Sequence, residues 1–305
     1  MLMRSMMHCD NLAIIAAAGS GKTTYIVDTV TKISEKRILL LTYTIENTQK
    51  LKRDIELKTG CVPANIDIMT WHSFLLHHCI RPFRSCVWST RIEHIDFDSK
   101  IRNFRIPESN TRAFYFSSDN ALYKDRATKF ALKCNSASEN GVITRLEKIY
   151  DSIYIDEVQD MAGEDIDLIE LILKSKIQTV VVGDIRQAIY FTCNARKNKG
   201  NRGSKMLDCF MKWEKQGIIS IKYRDFSYRC KQCICDLSDS LFPNIDEKTI
   251  SKNEDQCAHE GIYIVRSNDF ECYIREYNPV VLRWNVNAKI PSLSTEYIVK
   301  KHRIK

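Results

Sequence analysis

Glycine and proline are scarce in this sequence, with 10 glycines and 6 prolines among 305 residues. This composition excludes collagen-like repeats and the Gly- and Pro-rich low-complexity chains that stay disordered. Because 44% of the residues are hydrophobic and 10% are aromatic, the chain can bury a sizeable core. At this length we expect one large domain or two smaller ones, on the usual scale of roughly 100 to 200 residues each.

A hydrophobic run long enough for a membrane span is also missing, since none approaches the roughly 18 apolar residues required. The run from Leu12 to Ala18 follows Arg4 and has some features of a secretory signal. Gly21, Lys22 and Thr23 follow it, and they mark the run instead as the strand before a phosphate-binding loop. We therefore expect a soluble, cytoplasmic protein with no membrane partner.

Regular cysteine spacing is absent, although the chain has 12 cysteines. We expect reduced thiols rather than a disulfide framework. Cys230, Cys233 and Cys235, followed by Cys257 and His259, contain enough ligands for zinc. Packing in the core is the preferred interpretation, with Cys233 and Ile234 as small core residues.

The charge balance favours a polyanionic partner only weakly. Lys and Arg number 46 against 38 Asp and Glu, which gives a net charge of +8. A basic balance of this size suits nucleic acid, but it also suits many other soluble proteins.

Short apolar runs alternate with helical patterns along the chain. The runs predict strands at Leu12–Ile15, Ile38–Leu41, Ile66–Met69, Ile153–Ile155 and Thr179–Val182. Two helical faces are predicted, one with Ile26, Val27, Val30 and Ile33 and one with Ile166, Ile169, Ile172 and Leu173. This alternation predicts an α/β fold with a parallel sheet flanked by helices.

Residues 84–148 interrupt the alternation, being polar and rich in Arg and aromatic residues. They predict an inserted, mainly helical subdomain. Pro243–Asp255 has the composition of a polar connector, and Ile262–Val265 and Val280–Leu282 predict strands of a second, incomplete unit. The predicted division is a first domain over residues 1–215 and a partial second domain over residues 216–305.

The segment Ala-Ala-Ala-Gly-Ser-Gly-Lys-Thr lies between a predicted strand and an amphipathic helix, as a Walker A loop does. Small residues let successive backbone N–H groups surround phosphates, and the helix N-terminus favours negative charge. Lys22 would bind the β- and γ-phosphates and Thr23 would bind Mg²⁺. Ala16 stands where glycine is usual, so a purely structural turn is the alternative. The candidate nucleotide-binding residues of the loop are Ala17, Ala18, Gly19, Ser20, Gly21, Lys22, Thr23 and Thr24.

Two carboxylates follow the predicted strand Ile153–Ile155. Asp156 is suited to Mg²⁺, and Glu157 to orienting and deprotonating the attacking water. An Asp-Glu pair after a strand is often only a solvated loop, but a Walker A loop upstream favours the catalytic interpretation. Together the two motifs predict ATP and Mg²⁺ as ligands, with Thr23 and Asp156 as the metal residues.

The segment Asp-Glu-Val-Gln-Asp at 156–160 resembles the acidic box of UvrD/Rep-type superfamily-one DNA helicases. Other boxes follow the order of that family, at Leu41–Thr44, Thr70–Phe74, Val182–Asp184 with Gln187 and Tyr190, Ser227–Arg229 and Pro279–Arg283. The resemblance implies a RecA-like P-loop NTPase domain with a helical insertion and an incomplete second RecA-like domain. The function it implies is ATP-dependent translocation on single-stranded DNA.

Residue roles also come with this resemblance. Gln187 would sense the γ-phosphate, Tyr228 would stack on adenine, and Arg229 would reach the γ-phosphate from the second domain. The residues implied for the DNA path are Tyr43, Thr44, Trp71, His72, Phe74 and Tyr190. Aromatic faces on a basic groove hold bases irrespective of sequence, although core packing is an equal alternative for Trp71 and Phe74 taken singly.

The sequence departs from the family pattern in several places. No glutamine precedes Gln49, so the adenine-reading glutamine has no counterpart, and base selectivity stays open. Ile45 and Glu46 replace the usual Asn-Lys. The segment Phe191-Thr192-Cys193-Asn194 stands where the family has an aromatic residue and an arginine in close succession, and the alternative is that Phe191 serves from a shifted position. Since the chain ends at Lys305, we expect it to lack the final arginine box, whose arginine finger can be worth ~10³–10⁵ in rate. A nuclease or other protein partner would then supply the missing functions.

Three functions therefore stay open. The favoured hypothesis is an ATP-driven translocase or helicase on single-stranded DNA. The alternative is a non-motor subunit that binds nucleotide and DNA and needs a partner for hydrolysis. A phosphate-loop enzyme without a nucleic-acid role is disfavoured by Tyr43, His72 and Phe74.

Overall fold

The computed structural model describes residues 10–101, 105–118, 120–187, 206–243, 245–255 and 261–278. In chain order its strands are β1 (Leu12–Ala16), β2 (Ile38–Thr42), β3 (Ile66–Thr70), β4 (His94–Asp96), β5 (Phe116–Ser118), β6 (Ala121–Tyr123), β7 (Ser152–Ile155), β8 (Gln178–Gly183), β9 (Ser220–Arg224), β10 (Phe226–Ser227) and β11 (Ile250–Ser251). The α-helices are α1 (Lys22–Val30), α2 (Ile45–Thr59), α3 (Trp71–Phe74), α4 (Thr111–Tyr115), α5 (Ala127–Ala137), α6 (Gly141–Ile149), α7 (Glu164–Leu173), α8 (Met206–Lys215), α9 (Gln232–Ser240) and α10 (Phe270–Tyr277).

Six parallel strands form the main sheet, in the order β3-β2-β7-β8-β1-β9. All five strands predicted from the apolar runs lie in this sheet, which confirms the α/β fold with a parallel sheet flanked by helices. Because parallel strands end at the same edge, the segments after β1, β2, β7 and β8 meet there.

Strand β2 explains why these runs are apolar throughout rather than alternating. Leu39 and Leu41 are buried in one core cluster, while Ile38 and Leu40 are buried in a second. Successive side chains of a strand point to opposite faces, so both faces of the sheet are covered by other elements.

The predicted apolar helix faces are confirmed. Helix α1 buries Ile26, Val27 and Val30, and Ile33, which follows the helix, packs against the same cluster. The buried residues of α7 include Ile166, Ile169, Ile172 and Leu173. These helices cover the sheet that carries the phosphate loop and the acidic motif.

Local signals also fix the ends of α2. The Thr44 side chain accepts a hydrogen bond from the backbone N–H of Asn47 and caps the helix N-terminus. Gly60 ends the helix with a φ of 83°, a left-handed conformation that favours glycine. The start of α2 is therefore fixed directly after β2.

The inserted segment 84–148 contains helices α4, α5 and most of α6, but also a small sheet of order β4-β6-β5. The prediction of a mainly helical insertion missed this sheet, because strands of three residues are too short to show a period. Phe116 and Phe130 of the insertion lie edge to face at 5.5 Å between ring centroids. They belong to the same buried cluster as Leu39 and Leu41 of the main sheet, so the insertion shares the core of the main sheet.

Strand β9 extends the main sheet beyond the predicted domain boundary between residues 215 and 216. It pairs with β1 from Leu12 opposite Ser220 to Ala16 opposite Arg224. The chain then forms the two-stranded sheet β10-β11 and helices α9 and α10. The strand predicted at Ile262–Val265 is wrong, since that segment is irregular. Val280–Leu282 lies outside the described residues, and no helix among those described is long and apolar enough to cross a bilayer.

Candidate nucleotide site

The phosphate loop joins β1 to α1. Gly19 and Gly21 have φ values of 74° and 76°, a left-handed backbone that residues with a Cβ rarely adopt. The Ser20 N–H donates to the Ala17 carbonyl at 3.1 Å, which makes the turn tight. Because α1 begins at Lys22, the loop ends at the N-terminus of a helix, where unpaired N–H groups and the helix dipole favour an anion.

Gly19 is also the place where a later segment packs against the loop. A Cβ built on Gly19 would lie 2.5 Å from Cβ of Arg229 and 2.9 Å from Oγ of Ser227. The Tyr228 N–H donates to the Gly19 carbonyl at 3.0 Å, and the Ser227 hydroxyl donates to the Ala18 carbonyl at 2.6 Å. The segment Ser227–Arg229 is thus hydrogen-bonded directly to the phosphate loop.

Arg224, at the end of β9, holds the other side of the loop. Its guanidinium donates to the Ser20 carbonyl at 3.1 Å, and its own carbonyl accepts from the Ala17 N–H at 3.1 Å. The guanidinium also lies 5.2 Å from the ring centre of Tyr25 and 4.9 Å from that of Phe226. Strand β9 has no clear signal in the sequence, because its Ser-Ile-Lys-Tyr-Arg run is mostly exposed and lacks the continuous apolar pattern of the inner strands.

The acidic motif lies directly after β7. Asp156 is 5% exposed, and burial together with the neighbouring charge of Glu157 raises the pKa of Asp156 to about 7. Burial and the Glu157 charge also raise the pKa of Asp160 to about 7. Glu157 has a φ of 54°, a strained conformation for a residue with a side chain, and such strain is found most often at functional sites.

Gln159 connects the acidic motif to the end of β8. Its amide donates to the Glu157 carboxylate at 2.7 Å, and its carbonyl accepts from the Asp184 N–H at 3.0 Å. A Cβ on Gly183 would clash with the Gln159 side chain and lie 2.9 Å from Cγ1 of Val158. Glycine is therefore required at 183 for Gln159 to orient Glu157.

These segments surround one cavity of about 360 Å³. It is lined by Ala18, Gly19, Gly21, Lys22, Thr23, Thr24, Lys50, Glu157, Gln187, Tyr228 and Arg229. The cavity therefore brings together residues predicted to bind phosphate, orient water, sense the γ-phosphate and stack on adenine. Three of the lining residues are cations. Asp156 lies deeper, close enough for Lys22 and Lys50 to act on its pKa.

Lys50 is the lining residue that sequence analysis missed. It is exposed on the second turn of α2, six residues after Thr44. The position of Lys50 carries no motif signal, and only the packing of α2 beside the acidic motif reveals that it faces the cavity.

The oxygen donors at this site fit Mg²⁺. Hydroxyl, carboxylate and water oxygens are its usual ligands, alongside phosphate oxygens of a nucleotide. The Thr23 side chain lines the cavity, and Asp156 is buried beside Glu157, where a cation would relieve the repulsion between the two carboxylates. One oxygen of the buried Asp184 carboxylate has no hydrogen-bond partner among the described residues.

Comparison with known proteins identifies the family. The family model described as AAA domain matches residues 2–192, more than half of the chain. The chain belongs to the AAA domain family. It is also similar to Gabija protein GajB of Bacillus cereus (strain VD045), with 25% identity over 202 residues. The match covers 63% of this chain and 40% of that relative, so the chain spans less than half of the relative's length.

Membership in the AAA domain family indicates a nucleotide-binding protein, in agreement with the cavity at the phosphate loop. The closer resemblance to the UvrD/Rep type stays a prediction.

Two of the DNA-contact predictions for this AAA domain are wrong. Trp71 and Phe74 are fully buried, with ring centroids 5.4 Å apart in the core. The Trp71 indole donates to the Asp165 carboxylate at 2.8 Å, which satisfies its polar atom inside the fold. The apolar area of both rings is used for packing, so neither ring is free to stack on a base.

Of the other predicted DNA residues in the described part of the chain, Tyr43 and Thr44 are half-buried. His72 is 8% exposed, and its ring lies 5.8 Å from that of Tyr43 and 4.8 Å from that of Phe97. Burial and the charge of Lys124 lower the pKa of His72 to about 3, so the imidazole is neutral. Phe97, which sequence analysis missed, is 58% exposed. Thr44 caps α2 with its hydroxyl, and Tyr190 lies outside the described residues.

The described cysteines of the candidate zinc site differ in their exposure to solvent. Cys235 is buried, Cys230 is half-buried and Cys233 is exposed. Helix α9 begins at Gln232 and contains Cys233 and Cys235. Packing in the core is confirmed for Cys235 and is wrong for Cys233 and for Ile234, which is 37% exposed. Cys257 and His259 lie outside the described residues.

Proposed function

We propose that this chain is the nucleotide-binding part of an ATP-driven, single-stranded DNA translocase of the UvrD/Rep type. One observation carries the proposal: Lys22, Glu157, Gln187 and Arg229 line the same cavity, although they come from four separate segments. A phosphate loop used only as a structural turn has no need for a carboxylate and a second-segment arginine at its mouth.

The geometry suits hydrolysis of a nucleoside triphosphate. Lys22 and the loop N–H groups would hold the phosphates. Glu157, oriented by Gln159, would accept a proton from the water that attacks the γ-phosphorus, as the bond to the bridging oxygen breaks and the diphosphate leaves. Gln187 and Arg229 would contact the γ-phosphate, and Arg229 would stabilise the developing charge.

Thr23 and Asp156 are the residues that would hold Mg²⁺. When bound, this ion supplies charge neutralisation to the phosphate oxygens. Tyr228, 57% exposed at the cavity, would stack on the base.

The proposed DNA surface consists of Tyr43, Thr44 and Phe97, with Lys124 beside it and the buried His72 ring packed against Tyr43 and Phe97. Lys124 Nζ lies 6.0 Å from the centre of the Phe97 ring. An exposed aromatic face beside a cation suits a single-stranded backbone with unpaired bases. The surface begins where β2 ends and α2 starts, so α2 joins it to Lys50 at the nucleotide cavity.

We also propose a division of the chain after β9. Residues up to Arg224 would form the first motor unit, and β10 would open the second. A partner protein would complete the second unit and supply an arginine finger.

Nucleotide hydrolysis measured with and without single-stranded DNA tests the proposal. The wild-type chain is compared with Lys22→Ala and with Lys174→Ala, which removes an exposed lysine at the end of α7. DNA-stimulated turnover that Lys22→Ala abolishes supports the motor. Binding of both ligands without turnover supports the regulatory subunit, and turnover indifferent to DNA overturns the nucleic-acid role.

A further inference from the structure

Arg186 and Asp239 form a buried ion pair between the turn after β8 and helix α9. The Arg186 Nη2 and Asp239 Oδ1 atoms are 3.2 Å apart, and the side chains are 7% and 6% exposed. The same Nη2 donates to the Glu247 carbonyl at 2.9 Å. An unpaired charge in this environment is strongly unfavourable, so each side chain requires the other.

On one side, the pair is bonded to the strands that carry Arg229. The Asp239 carboxylate accepts from the Thr249 N–H at 2.6 Å and from its hydroxyl at 3.0 Å. Thr249 is followed by β11, which pairs with β10, and β10 leads directly into Tyr228 and Arg229. Movement of Asp239 would therefore move the frame of these two cavity residues.

On the other side, the pair is bonded to the acidic motif. The Arg186 N–H donates to the Asp184 carboxylate at 3.0 Å, and the Asp184 N–H donates to Gln159, which holds Glu157. Gln187, the next residue, lines the cavity. A continuous set of hydrogen bonds thus runs from Glu157 to the frame of Arg229.

We propose that Arg186 and Asp239 are positioning residues, which hold the segment Tyr228–Arg229 over the cavity and link it to the turn that carries Gln187. Neither residue is among the described cavity-lining residues, so both act through their neighbours. The inference rests on the proposed function for the identity of the ligand, a nucleoside triphosphate. The link between the two units does not depend on that identity.

Amide hydrogen exchange on the purified chain without nucleotide tests the link. We expect Arg186→Gln to speed exchange in α9, β10 and β11 by about tenfold or more, with β2 and β7 unchanged. Adding Asp239→Asn to Arg186→Gln should slow exchange again, because it removes the unpaired buried carboxylate. Arg186→Lys should fall between wild type and Arg186→Gln.

Arg84→Gln in the insertion is the control, since Arg84 is half-buried and its guanidinium donates to a nearby backbone group, the Ser89 carbonyl, at 3.1 Å. Any of three outcomes would overturn the pair's role. Exchange in Arg186→Gln could be unchanged, it could rise equally in β2 and β7, or it could fail to recover in the double variant.

A second measurement separates this inference from the proposed function. With ATP, we expect Arg186→Gln to lower kcat about tenfold with little change in KM, since the phosphate loop itself is intact. Equal losses in KM and kcat would contradict positioning of Arg229. If wild type does not hydrolyse ATP, the proposed function fails, and hydrogen exchange still decides the role of the pair.

Discussion

The Ser227 hydroxyl donates a hydrogen bond to the Ala18 carbonyl at 2.6 Å and accepts one from the N–H of Cys230 at 3.0 Å. Ser227 is fully buried, so these bonds replace the water that its hydroxyl has lost. One side chain thus joins the phosphate loop to the turn that carries Tyr228 and Arg229. The nucleotide cavity depends on this close approach between segments far apart in sequence.

Gly19→Ala should disrupt that approach. The new Cβ would meet Arg229 Cβ at 2.5 Å and would occupy a backbone with a φ of 74°, so we expect loss of both stability and nucleotide binding. Gly60→Ala is the matched control, because its φ is 83° but nothing lies within 4 Å. The free energy of unfolding of the control should fall only by the backbone cost of a Cβ at positive φ, about 1–2 kcal/mol. Thermal unfolding measures the stability of the two variants, and nucleotide titration measures their affinity. Similar losses of stability and affinity in the two variants would show that the contact between Gly19 and Arg229 does not matter.

Glu157→Gln should keep nucleotide binding and abolish hydrolysis, because an amide cannot accept the proton of the attacking water. The comparison is Glu139→Gln, which alters another glutamate with positive φ, 53° against 54°, outside the cavity lining. Phosphate release and nucleotide affinity are measured for both. Turnover by Glu157→Gln equal to that of wild type would remove Glu157 from its proposed role.

Asp156 should give the protein a pH-dependent stability. Its pKa is raised from 3.8 to about 7, first by burial and then by Glu157. Because the folded-state value is the higher one, the stabilising effect of protonation is complete below the unfolded pKa of 3.8 and is lost as pH rises through about 7. Asp156→Asn should therefore raise Tm over wild type more at about pH 8 than at about pH 5.

The control for this pH experiment is Asp10→Asn, which removes an exposed carboxylate before β1. A Tm difference between Asp156→Asn and wild type that does not change with pH would contradict the raised pKa.

Lys50→Ala should weaken triphosphate binding by about 0.5–1 kcal/mol at low salt, and less at high salt, because the lost charge is exposed and screened. Lys52→Ala removes a lysine from the same helix that pairs with Glu56 at 3.9 Å instead of lining the cavity. Nucleotide titrations at two salt concentrations compare them. Equal effects of the two variants would show that Lys50 acts only through net charge.

Phe97→Ala should lower the affinity for single-stranded DNA by about 1–3 kcal/mol, the cost of losing one stacking face. Leu57→Ala truncates a more exposed apolar side chain, 86% exposed on α2, and should leave DNA affinity unchanged. Fluorescence anisotropy with a labelled oligonucleotide measures both. Unchanged affinity in Phe97→Ala would exclude Phe97 from the DNA surface.

The sequence by itself determined the parallel α/β fold and predicted the phosphate loop and the acidic motif. Continuous apolar runs such as Ile38–Leu41 are buried on both faces of the sheet, and a Gly-Ser-Gly-Lys-Thr turn after a strand has few other uses. These signals are local, since they depend on side-chain period and on the backbone freedom of glycine.

Only the tertiary structure decided which aromatic residues are buried and which partners meet across the sheet edge. The sequence motif pointed to Trp71 and carried no signal for Phe97, but Trp71 is fully buried and Phe97 is 58% exposed. The contribution of Lys50, the exposed edge strand β9 and the Arg186–Asp239 pair follow from packing between distant segments. Such contacts leave no periodic pattern, because each is set by the position of a whole helix or strand and not by the residues next to it in the chain.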